Sequence, residues 1–148
     1  MTEPGPAPVP DAPDARLGYL FKHAHARLTA LSAAALEPFG ITGRDLAVLA
    51  VLGAPDELSQ AEAAARLGVD RTTMVALIDG LEGRGLVERR RSARDRRRNT
   101  VLPTPEGRDL LARAEDARRA MEARFLAPLP PGDAERLIAS LRVLAAGS

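Results

Sequence analysis

Between Val69 and Gly107 the residue pattern switches from helical to extended and back to helical, an order that few architectures accommodate. Asp70 is a good N-cap, and Met74, Leu77, Ile78 and Leu81 recur at the spacing of one buried helical stripe. Gly83-Arg-Gly85 ends that periodicity. Leu86-Val-Glu-Arg89 begins a strand-like apolar run, and after an arginine-crowded loop the chain returns through Asn99-Thr-Val-Leu102. Pro103 cannot donate to a strand ladder, and Thr104-Pro-Glu-Gly107 supplies an N-cap with proline at the first helical position. Two short strands around a basic loop make a β-hairpin wing.

The charge of this stretch is lopsided. Arg84 to Arg98 holds eight arginines against Glu88 and Asp95, a local charge of +6 in a chain whose net charge is +1, so the remainder carries −5. Concentrated positive charge beside a helix suits a polyanion, and nucleic acid is the leading candidate. Arg71, Thr72 and Thr73 sit at the exposed start of the helix, where free N–H groups and a positive dipole end favour phosphate and short side chains reach base edges. The same residues also suit an ordinary amphipathic helix with a solvated first turn.

Taken in order, Met1 to Ala15 holds five prolines and almost no large apolar side chain, which predicts a disordered tail. Residues 16–148 read as a single domain. Leu17, Leu20, Phe21, Ala24, Leu28, Leu31 and Ala35 keep helical period over about 16–37 until Pro38 breaks it. Thr42-Gly-Arg-Asp45 resembles a capping box with Asp in place of Glu and opens a second helix, and Leu58 is placed as a short bridging strand. Ser59-Gln-Ala-Glu62 is a capping box for a third helix through Leu67, and Gly68-Val69-Asp70 turns into the helix beginning Arg71, which together give a helix-turn-helix. The winged core spans about 40–104, and two further amphipathic helices occupy about 105–127 and 132–146. One chain has no obvious way to bury the stripes of all three outer helices. Packing against a second copy is the natural solution and an intramolecular bundle the alternative. The fold class is mainly α with a small β-hairpin wing.

Composition removes other chemistries. The chain has no cysteine, which excludes disulfides, thiol nucleophiles and Cys-based zinc sites. His23 and His25 lie about 200° apart around a helix and cannot share a metal. No acidic pair has the spacing or surroundings of an acid/base couple, so neither an enzyme nor a cofactor or metal site is expected. No apolar run approaches ~18 residues, and a soluble, cytoplasmic protein is expected.

With these residues in view, the chain resembles the multiple-antibiotic-resistance regulator (MarR) family of winged helix-turn-helix transcription factors. The resemblance covers Arg16 to about Ala146 and is most specific in Leu81-Glu-Gly-Arg-Gly-Leu-Val-Glu-Arg-Arg90, Asp95-Arg-Arg97 and Thr104-Pro-Glu-Gly107. It implies a homodimer on a pseudo-palindromic operator, usually a repressor released by a small phenolic or anionic effector. By that resemblance the DNA-facing set is Ser59, Gln60, Arg71, Thr72, Thr73, Arg90, Arg94, Asp95, Arg96 and Arg97. Arg97 enters the minor groove, oriented by Asp95, while Arg71, Thr72 and Thr73 face the major groove. Tyr19, His23 and Arg27, at i, i+4 and i+8, fall where family members keep an effector cleft; they also fit the polar margin of a dimer helix.

Ala76 and Gly80 depart from the family, which often has basic or larger polar residues there, so base reading should lean on the first turn. Without the first-helix cysteine or tryptophan of peroxide- and urate-sensing members, those inducer classes are not expected. A non-specific nucleic-acid-binding or architectural protein is the competing function.

Overall fold

The computed structural model describes residues 13–147. Most of the expected tail, residues 1–12, lies outside the described residues, but its last three, Pro13–Ala15, form a single 3-10 turn and are not irregular. The elements that follow are α1 (Leu17–Leu36), α2 (Gly43–Leu52), α3 (Gln60–Leu67), α4 (Arg71–Gly83), β1 (Val87–Arg91), β2 (Asn99–Pro103), α5 (Pro105–Leu126) and α6 (Asp133–Ala146).

Local capping decides where the helices of the core start. The Thr42 Oγ1 accepts from the Asp45 amide at 3.2 Å while Asp45 accepts from the Thr42 amide at 2.9 Å, so aspartate completes the box as glutamate would. Ser59 and Glu62 repeat this reciprocal pair, both bonds at 3.2 Å. Between α3 and α4, Gly68 takes φ +65, a left-handed conformation that lets the chain reverse within three residues without a Cβ clash. The result is a helix-turn-helix.

The core lies under this motif. Leu46, Val48, Leu49 and Leu52 of α2 meet Ala63 and Ala64 of α3 and Met74, Ile78 and Leu81 of α4, with Leu36, Leu86, Val87, Val101, Leu110 and Ala114 closing the sides. Strands β1 and β2 pair antiparallel from Val87 opposite Pro103 to Arg91 opposite Asn99. Leu58 adds the expected bridge, its carbonyl accepting from the Val101 amide at 3.1 Å, and so ties the hairpin to the α2–α3 connection.

The outer helices are less complete. Helix α5 packs on α1 and α2 and buries Gly107, Leu110, Ala114 and Met121, whereas α1 buries only Leu36 and α6 buries no residue. Leu17, Leu20 and Phe21 on α1 and Leu137, Ile138, Leu141 and Leu144 on α6 remain exposed. An intramolecular bundle therefore does not form, and the amphipathic faces of α1 and α6 stay unmatched within one chain.

The start of α5 presses on the wing root at Gly107, where a Cβ would fall on the Leu86 carbonyl oxygen. Gly107→Ala must push backbone from backbone, and overpacking of this kind costs about 1–3 kcal/mol. Urea titration should show that loss relative to wild type, while Gly80→Ala, whose Cβ meets nothing, should not lower stability.

Candidate nucleic-acid interface

Because Met74, Ile78 and Leu81 turn one face of α4 into the core, its first turn and outer face are left at the surface. Asp70 caps that turn through its carboxylate, which accepts from the Thr73 amide at 2.8 Å and the Thr73 hydroxyl at 2.7 Å. These two bonds hold its carboxyl below the ordinary aspartate range. The stability this cap adds is thus present above the unfolded carboxylate's range and lost as pH falls through the lowered folded value. Thr73 spends its hydroxyl proton on the cap, whereas Arg71 and Thr72 project freely. Beside them Val75, Ala76 and Asp79 complete a shallow concave patch. With Gly80 next along the helix, the small Ala76 leaves a smooth lane on which a base edge or thymine methyl can approach closely.

The eight arginines of the Arg84–Arg98 segment divide into two groups. Arg84 turns away from the wing and donates to the Gly40 carbonyl at 2.6 Å and the Phe39 carbonyl at 3.2 Å, bracing the α1–α2 elbow. Arg89 bonds Asp79 at 2.5 Å, Glu82 at 2.6 Å and Gln60 at 3.3 Å, joining β1 to α4 and to the start of α3. Partial burial works against its charge, but the Asp79 and Glu82 carboxylates more than offset this and hold the guanidinium above the ordinary arginine value. Arg90 pairs with Glu88, and Arg98 pairs with Glu62. Among the described residues Arg91, Arg94, Arg96 and Arg97 form no ion pair, and neither does Arg71. Of the arginines at the α4 start and in the Arg84–Arg98 segment, these five are the ones available to a ligand.

The sequence-predicted residues accordingly meet different fates. Arg71, Thr72, Arg94, Arg96 and Arg97 are exposed on the helix start and wing loop. Ser59 is committed to its capping box, Gln60 to Arg89, and Arg90 to Glu88. Asp95 does not hold the Arg97 guanidinium; its carboxylate accepts from the Arg97 backbone amide at 3.0 Å, and its carbonyl accepts from the Arg98 amide at 3.0 Å. It shapes the wing tip through the main chain. Tyr19 and His23 stack at 4.0 Å between ring centroids, and Arg27 lies 6.0 Å from the Phe125 ring of α5. All three side chains are exposed on α1.

Arg89, Ser92 and Glu57 escaped the reading of the sequence as site-building residues. The signal for Arg89 is Asp79 and Glu82, two acids three apart on a helix whose first turn is otherwise expected to face a polyanion.

A capped helix presented at the surface by a helix-turn-helix, flanked by a hairpin with unpaired arginines, defines a winged helix-turn-helix protein. The MarR family model matches residues 39–98. The HTH-type transcriptional repressor Rv2887 of Mycobacterium tuberculosis is 38% identical over 118 residues, 80% of this chain and 85% of that protein. The transcriptional repressor CouR bound to a 23-mer DNA duplex is similar with a TM-score of 0.81 at 35% identity, over 88% of this chain and 92% of that one. Rv2887 in complex with salicylic acid gives a TM-score of 0.71 at 35% identity, over 89% and 98%. The chain belongs to the MarR family of transcriptional regulators.

Two arginine classes should separate on DNA. On a duplex selected by the wild-type protein from a random library, Arg94→Ala or Arg96→Ala should weaken all sequences alike and reduce the salt slope by about one unit. Arg97→Ala should cost about 1–3 kcal/mol and relax sequence preference. Asp95→Ala should also weaken binding although it removes a negative charge, because the wing tip loses its backbone anchor. Tighter binding by that variant would show that charge alone governs the tip.

Proposed function

We propose that the chain is a dimeric, sequence-specific DNA-binding repressor that a small anionic aromatic compound releases from its operator. The observation that carries this reading is that Arg71 and Thr72 at the α4 start and Arg94, Arg96 and Arg97 in the wing loop are exposed, with no acidic side chain paired to these arginines. The same architecture in CouR is bound to duplex DNA. A second copy covering the apolar faces of α1 and α6 brings two recognition helices to one duplex face. The effector class follows from Rv2887, which is complexed with salicylic acid, a compound both phenolic and anionic. The Tyr19 and His23 rings and the Arg27 guanidinium offer apolar faces and a positive charge for such a ligand.

Two-fold symmetry fixes the test. Half-sites should lie about 10 base pairs apart, centre to centre, so inserting five base pairs between them should abolish tight binding. Undiminished binding to the lengthened duplex would sink the dimeric regulator, and a preference over random DNA well short of ~10³ would favour the architectural alternative. Titrating salicylate into the complex should release the DNA, and Arg27→Ala should raise the concentration needed without changing affinity in its absence.

A further inference from the structure

The base of the wing contains a serine that behaves unlike its neighbours. Ser92 is 5% exposed in a loop whose other residues, from Ala93 to Arg98, are all exposed. Its hydroxyl donates to the Glu57 carboxylate at 2.6 Å and accepts from the Arg94 and Asp95 amides at 3.1 and 3.3 Å. One donor and two lone pairs are thereby all used. The Ser92 amide in turn donates to the Arg98 carbonyl at 2.8 Å, closing the loop at its root, and the Arg98 guanidinium pairs with Glu62. Glu57 belongs to the α2–α3 connection, next to the Leu58 bridge that already joins this connection to β2.

We propose that Glu57 and Ser92 form a latch that presets the wing, and that both are positioning residues for operator recognition although neither touches DNA. This rests on the regulator reading above. An acid beside a polyanion site opposes binding by charge, so Glu57 contributes only by what it holds. With the latch closed, the loop bearing Arg94, Arg96 and Arg97 is ordered before DNA arrives, and the complex is spared that ordering cost. With it open, the competent wing is a fraction of the population and apparent affinity falls by that fraction. Non-specific binding, which needs phosphate contacts in no fixed register, is far less sensitive.

Two measurements test this on the full chain. The first is amide hydrogen exchange in the free protein: Ser92→Ala and Glu57→Ala should speed exchange at Arg94 and Asp95 about tenfold, the scale of one hydrogen bond to a charged group, while the amides of Met74 and Ile78 keep their protection. The second is affinity for a duplex selected by the wild-type protein from a random library. Each variant should bind it about tenfold more weakly, with random duplex changed less than about twofold. The double variant should be no worse than either single one, and Glu57→Gln, which keeps an acceptor for the hydroxyl, should retain most of the affinity. Tighter binding by Glu57→Ala, or wild-type exchange rates at Arg94 and Asp95, would overturn the latch. If the wild-type chain selects no duplex the regulator reading falls, and the exchange measurement still decides whether the latch exists.

Discussion

The outer face of α4 depends on Arg89, whose guanidinium pairs with two carboxylates of that helix. Asp79 and Glu82 stand on α4, the helix proposed above to approach a phosphate backbone, and unpaired they would repel it. Arg89 pairs with both and offsets half of their charge, and because its planar guanidinium presents several donors in fixed directions, it also bonds Gln60 at the start of α3. One side chain therefore ties both helices of the motif to the root of the wing. A lysine would supply the charge without the geometry.

What was legible in the sequence was local. The starts of α2, α3, α4 and α5 are fixed by side chains bonding an amide three residues away, so Thr42, Ser59, Asp70 and Thr104 announce them directly. The apolar stripe of α4 and the hairpin are legible for the same reason, since period and turn chemistry are properties of neighbouring residues. The family resemblance was carried by the turn and wing, where local signals are densest.

The interior wiring of the site was not legible. Arg89 and Gln60 are 29 residues apart and Ser92 and Glu57 are 35 apart, and no periodicity connects them. A count of charges treats every arginine as available, yet Arg84, Arg89, Arg90 and Arg98 are spent within the chain. The sequence reading thus located the positive field correctly and overstated its free portion. Asp95 shows a subtler gap: two residues before Arg97, it acts on the backbone amide and not on the guanidinium, a distinction that residue types alone cannot draw.

Helix α6 buries no residue against its own chain, yet it carries a continuous apolar face. A partner that covered this face would add to the folding free energy of the helix, and mass action would then enter the stability directly. A second copy as the cover makes melting temperature rise with protein concentration. Dilution then does more than separate two finished molecules: it removes the packing on which the outermost helix relies. For the dimer proposed above, in a cell holding few copies of the chain, abundance itself sets how much of the protein is fully folded.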